Sequence, residues 1–229
     1  MTIGIIGAMD EEVALLMANM TEKKEQTVAN CLFLIGQIGE KDVVLLKSGI
    51  GKVNAAMATT ILHERFKPDY VINTGSAGGF ADDLKIGDIV VSSQVVHHDV
   101  DVTAFDYAYG QVPGMPAMFA ADPQLVSVAL YAAKNLDVTS REGIIATADT
   151  FMADPDHVKR INDIFPEMIA AEMEAAAVAQ VCYQYKRPFV VIRALSDIAG
   201  KESTISFDSF IDKAAKNAAI LIVKMIQDL

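Results

Sequence analysis

Short apolar runs alternate with segments whose apolar residues recur every third or fourth position from one end of the chain to the other. That alternation is the signature of strands and helices taken in turn. Residues 3–6 read as a buried strand, and 11–20 as an amphipathic helix that begins with acids, which favour a helix amino terminus. Residues 31–38 and 43–46, separated by Gly39-Glu40-Lys41-Asp42, read as a hairpin, so the expected sheet is mixed. Helices are expected over 52–66, 122–135, 156–165, 175–185 and 207–229. Strands are expected over 70–73, 88–98, 142–146 and 189–195, the last apolar throughout except for Arg193. The expected architecture is three-layer α/β/α, a central mixed sheet flanked by helices. Residues 103–120 break the rhythm with Pro113, Pro116, Gly110, Gly114 and four aromatic rings. So long an irregular excursion points to a functional loop or a subunit contact.

Composition narrows what such a fold can serve. With no linker in its 229 residues, the chain reads as one catalytic domain over 1–229. Hydrophobic residues make up 52% and the mean hydropathy is +0.30, which predicts more apolar surface than a monomer hides and hence an oligomer. A net charge of −11 repels phosphate backbones and anionic lipid, so nucleic acid and membrane surfaces are poor partners. Cys31 and Cys182 match neither a metal nor a redox spacing and read as buried thiols, which suits a reducing cytoplasm. The start, MTIGIIGAMDEE, has neither the basic region nor the cleavage site of a signal peptide. No stretch is apolar over a membrane-spanning length.

Three glycine-rich stretches follow apolar runs: Gly7-Ala8-Met9, Ser48-Gly49-Ile50-Gly51 and Gly75-Ser76-Ala77-Gly78-Gly79. At the carboxyl ends of strands, bare backbone either makes a tight turn or admits a ligand. The dinucleotide pattern fails at GIIGAMDEE, the phosphate-loop pattern fails at GIGKVNA, and Thr74 stands where a serine-hydrolase elbow needs glycine. His97 and His98, adjacent on a strand, point to opposite faces and do not converge on one metal ion. Carboxylates beside apolar walls remain: Glu12, Glu172, Glu174 and Asp197. Each reads either as a helix cap or as an acid whose proton affinity burial raises toward neutrality, a candidate general acid or base.

Taken in order, GIIGAMDEE, SGIGKVNAA, INTGSAGG, DVTAF with YGQVPGMP, AAEMEAAAVAQVC and RALSDIAG resemble the 5′-methylthioadenosine/S-adenosylhomocysteine nucleosidases of the purine nucleoside phosphorylase superfamily, nearly end to end. The resemblance implies a nucleoside phosphorylase-like fold and hydrolysis of the bond between adenine and the thioribose. It implies, too, 5′-deoxyadenosine as a further substrate and methionine salvage as the setting. It implies that Asp197 protonates purine N7 and Glu12 activates water. Glu174 and the backbone of Met173 hold the ribose hydroxyls, Arg193 and Ser76 lie near water and ribose, and Ser196 supports Asp197. Phe151 stacks on adenine and the backbone at Met152 reads its edge. Ala8, Met9, Ile50, Gly78 and Phe207 line the pocket, and Val102, Phe105 and Pro113 reach across a homodimer interface to cover the 5′ group. It implies no cofactor and no metal. The chain reads Thr147-Ala148-Asp149-Thr150-Phe151-Met152 where the family usually has Ser-Gly-Asp-x-Phe-Ile, and His97-His98-Asp99-Val100-Asp101 where it often has Tyr-His-Asp-Ala-Asp. Two other readings stay open on the residues alone: a phosphorylase of the same fold, and a nucleoside-binding protein without catalysis. A phosphorylase wants several arginines on its loops, and of the five in the chain only Arg193 is well placed.

Overall fold

The first apolar run forms β1 (Thr2–Gly7), whose Ile3, Ile5 and Ile6 are fully buried, as befits a strand covered on both faces. The structure is a computed structural model that describes residues 1–134, 136, 138–201 and 203–229, and for 203 and 204 the backbone alone. α1 (Asp10–Asn19) follows, and then β2 (Thr21–Val28), β3 (Cys31–Ile38) and β4 (Lys41–Lys47) form an antiparallel meander that returns parallel to β1. β3 and β4 are the expected hairpin. β2 was not expected, because TEKKEQTV carries no apolar alternation; it is the charged, solvent-facing edge of the sheet, where such residues prevent further pairing.

After α2 (Lys52–Phe66), β5 (Tyr70–Gly79) departs most from expectation. The glycine-rich stretch 74–79 is strand and not turn: β5 continues parallel to β10 (Phe189–Ile198) through Gly79. The remaining elements are β6 (Ile89–His97), a two-residue β7 (Phe119–Ala120), α3 (Pro123–Ala133), β8 (Ser140–Thr147), α4 (Pro155–Ile164), β9 (Met168–Glu172), α5 (Ala175–Tyr185) and α6 (Ser203–Asp228). β7 and β9 escaped the sequence reading through their shortness and, in MIAAE, their alanines. The expected end of α3 at Asn135 lies outside the described residues.

The sheet runs β10-β6-β8-β9-β5-β1-β4-β3-β2, and the additional β10–β5 pairing closes its first five strands into a ring. α1 and α3 pack on α6, and α2 packs on α5, so helices flank the sheet as expected. β5 is the strand where ring and open sheet divide. It pairs with β1 as far as Asn73 and with β9 at Gly78 and Gly79, so residues 74–77 pass between two partners on that edge. A division of this kind is where open α/β sheets bind ligands.

Candidate active site

Glu12 fills the gap between β1 and β9. It sits in the first turn of α1, 5% exposed, and its two carboxylate oxygens face different ways. Oε2 accepts from the amides of Ala8 (2.8 Å) and Met9 (3.2 Å), the cap its position predicts. Oε1 accepts from the amide (2.9 Å) and hydroxyl (3.2 Å) of Ser76 on β5. The capping reading of Glu12 therefore holds, and the same carboxylate is also fixed across to the central strand. Gly75 is bare for its sake, since a Cβ there would stand 2.6 Å from Glu12 Oε1.

Asp197 is 2% exposed and belongs to β10, where a bulge between Leu195 and Asp197 turns it toward Gly78. β10 continues through Ile198, so the chain at Ile198-Ala199 is not the helix start that the capping reading placed there. The Ser196 hydroxyl donates to Oδ1 (2.9 Å), and a Cβ on Gly78 would lie 3.1 Å from Oδ2. The glycines of NTGSAGG thus make room for two carboxylates, one on each side of β5.

The two glutamates of AAEMEAAAVA separate in role. Glu172 ends β9, and its oxygens accept from the amides of Glu174 and Ala175 and from the hydroxyl of Thr147, so it caps α5. It also pairs with Arg193, which is 1% exposed and whose Nη2 donates to Asn73 Oδ1 at 2.8 Å. The sequence reading gave neither Thr147 nor Asn73 a role; the signal was a polar residue directly after a short apolar run, Ile144-Ile145-Ala146 and Val71-Ile72. Glu174 Oε1 accepts from the amide of Gly51 at the start of α2 (2.8 Å), and Oε2 lies 3.9 Å from Arg193 Nη2. Burial, then the neighbouring Glu172 carboxylate, push the Glu174 carboxyl up to about 8 against the pull of Arg193. Near neutrality Glu174 therefore carries a proton much of the time and can both donate to and accept from a hydroxyl.

These elements enclose a cavity of about 310 Å³. Glu12, Ser76, Glu172, Glu174, Ser196 and Asp197 supply its polar wall. The apolar wall includes Ala8, Met9, Ile50, Gly78, Met173 and the edge-to-face pair Phe151 and Phe207, whose ring centroids are 5.9 Å apart. Ala77 and Ala171 also line it and were not anticipated. Met152 lies one step outside, on a small adjoining recess shared with Phe151 and Asp197, and its carbonyl accepts from Gly200 N. Arg193 is not part of the lining; it is buried and tied to Glu172 and Asn73. Val102, Phe105 and Pro113 do not reach the cavity either. They lie in the irregular excursion, where Phe105 is 74% exposed on a single 3-10 turn, Thr103–Phe105.

The altered histidine stretch is structural. His97 Nε2 meets Gln180 Oε1 of α5 at 3.0 Å, His98 faces the ring of His157 of α4, and burial above all lowers both imidazoles' proton affinity. Asp99 pairs with Lys52, and Asp149 accepts from the Lys52 amide, so the aspartates that these two stretches keep in common with the family pattern brace the start of α2. Among the described residues no group of three or more His, Cys, Asp or Glu is placed to hold a metal ion. No described helix is long and apolar enough to cross a membrane.

The phosphorylase superfamily profile matches residues 2–227. A 5′-methylthioadenosine/S-adenosylhomocysteine nucleosidase of Oceanobacillus iheyensis is 60% identical over 229 residues, covering 100% of both chains. Among solved structures, the nucleosidase of the same name from Colwellia psychrerythraea in complex with adenine superposes with a TM-score of 0.98 at 51% identity, over 100% of this chain and 96% of that one. The Neisseria meningitidis nucleosidase in complex with methylthio-immucillin-A gives a TM-score of 0.98 at 45% identity, over 100% and 99%.

Proposed function

The chain belongs to the phosphorylase superfamily and, within it, to the 5′-methylthioadenosine/S-adenosylhomocysteine nucleosidases, and on that premise we propose how its cavity works. The enzyme hydrolyses the N-glycosidic bond of both nucleosides and releases adenine. Water bonds to C1′ as the C1′–N9 bond breaks. Glu12 takes a proton from the water, and Asp197 gives one to N7 so that adenine departs neutral. The sugar gains positive charge on the way, which calls for a base on one side and an acid on the other. Glu174 and the backbone of Met173 hold the ribose hydroxyls, and Phe151 stacks on the purine with the Met152 backbone at its edge. Ser196 holds Asp197 in place. Side chains and water suffice for this scheme.

The observation that carries the hydrolytic reading is the seat of Glu12. Two backbone amides from the β1–α1 junction, with the amide and hydroxyl of Ser76, form an anion-binding cluster of the kind that elsewhere receives phosphate. Here the protein's own carboxylate occupies it. The one arginine nearby is neutralised by Glu172 and stands behind the wall. A phosphorolytic site would need both groups free, and a mere binding protein would have no use for a carboxylate so firmly aimed. Assay of adenine release from the two nucleosides tests the reading; binding without release would contradict it.

The functional unit we propose is a cytoplasmic homodimer. Ile50, 50% exposed, leaves the cavity mouth uncovered, while Phe105 projects from the excursion with nothing of its own chain to cover it. Val102, Phe105 and Pro113 of each subunit cover the 5′ group in the other. Phe105→Ala is expected to raise KM about tenfold and leave kcat within about threefold, since the ring holds ground and transition states alike. Sedimentation equilibrium checks the assembly, and an active monomer at assay concentration would contradict it.

A further inference from the structure

Asn73 is the last residue of β5 to pair with β1, and it is 1% exposed. Its side-chain amide spans two partners: Nδ2 donates to the Ile6 carbonyl at 2.9 Å, and Oδ1 accepts from Arg193 Nη2 at 2.8 Å. Nη2 of a guanidinium carries two N–H groups, and here the other goes to Glu172 Oε2. None is left on it for Glu174, whose Oε2 stands 3.9 Å away. The rest of the guanidinium is loosely held: Nη1 reaches the Ile192 carbonyl at 3.4 Å, and Nε has no hydrogen-bond partner among the described residues. Arg193 is thus kept on Glu172 through one nitrogen, and Asn73 supplies half of that nitrogen's bonds.

The Gly51 amide already holds Glu174 Oε1, so Oε2, on the Arg193 side, is the oxygen left for a ribose hydroxyl. A guanidinium freed to turn would compete for it with a charge-assisted hydrogen bond, which a neutral hydroxyl does not match. We propose that Asn73 is a positioning residue for the ribose end of the site: it occupies the second Nη2 N–H, holds Arg193 on Glu172 and so keeps Glu174 Oε2 available to the ribose. The charged groups facing Glu174 are Glu172, Arg193 and Glu12, and of these only Arg193 is hydrogen-bonded to Asn73. Burial, and then Glu172, hold the Glu174 carboxyl up at about 8, and a nearer guanidinium would favour its charged form and bring it down. This inference rests on the role given to Glu174 in the hydrolytic reading above.

The test is kcat/KM against pH for methylthioadenosine and its 2′,3′-dideoxy analogue, in wild type, Asn73→Ala and Asn73→Asp. Asn73→Ala is expected to lower the value for methylthioadenosine about tenfold near neutrality and that for the analogue less than about threefold. The step that Glu174 puts in the ratio of the two values should move to lower pH. Asn73→Asp loses the same donor to Ile6 but keeps an acceptor for Arg193, so its ratio is expected within about threefold of wild type and its step no lower. Asn73→Thr, which suits a strand and also stops short of the guanidinium, carries the expectations of Asn73→Ala if that variant does not fold. Equal effects of the alanine and aspartate variants, equal losses on both substrates, or an unmoved step in Asn73→Ala would overturn the inference and leave the hydrolytic reading standing. A wild-type enzyme that treats the two substrates alike would overturn the role of Glu174 and the inference with it, and one that cleaves neither would overturn the hydrolytic reading as well.

Discussion

Asp197→Asn is expected to lower kcat at least about 10²-fold while adenine binding stays within a few-fold of wild type. Asparagine matches the aspartate in size and keeps an oxygen for the Ser196 hydroxyl, which sits 2.9 Å from Oδ1. It has no proton to give to a leaving purine. Adenine would then have to depart as an anion, or wait for a proton from solvent in a chamber where Asp197 itself is 2% exposed. Steady-state kinetics with calorimetric titration of adenine reads both quantities. Turnover near wild type would remove Asp197 from the mechanism.

Glu12→Gln is expected to cost about 10³-fold in kcat and, unlike the Asp197 change, to destabilise the protein as well. The carboxylate accepts four hydrogen bonds, two on each oxygen. An amide offers one oxygen, so its NH₂ must face either the amides of Ala8 and Met9 or the amide and hydroxyl of Ser76. At least one buried donor loses its acceptor, at about 2 kcal/mol, or about 5 °C in Tm for a chain of this size. Thermal denaturation with kinetics separates this from a purely chemical role. A variant with wild-type Tm and lost activity would mean that the four-donor seat is not what holds Glu12. Lost affinity with kcat intact would make Glu12 a binding residue.

The sequence made the layers and the acids legible, and it hid how they are joined. Residues 175–185 form a helix with the expected bounds because both signals are local: an apolar face begins after Glu174 and the helix stops at Lys186, which caps it in the left-handed conformation. NTGSAGG misled because glycine is read first as a turn residue, whereas here it keeps Cβ atoms away from Glu12 and Asp197, partners 63 and 119 positions from Gly75 and Gly78. Nothing local announces such a clash. β2 was hidden by its polarity, which suits an edge strand that packs one face poorly. The acids stood out as charges beside apolar runs, but their division of labour did not. Only the folded chain shows that, of the two glutamates lining the cavity, Glu172 is spent on Arg193 and the start of α5 while Glu174 is not. Phe105 is the opposite case: its exposure is plain, and the purpose we propose for it lies in a second copy of the chain.

The central claim is that Glu12 occupies the place of an anion so that water, and not phosphate, attacks the sugar. Adenine release from methylthioadenosine should be measured in phosphate-free buffer and again with millimolar phosphate, with the sugar product identified in each. The account predicts equal rates and free methylthioribose in both; a rate that requires phosphate, with the sugar recovered as its 1-phosphate, would contradict it.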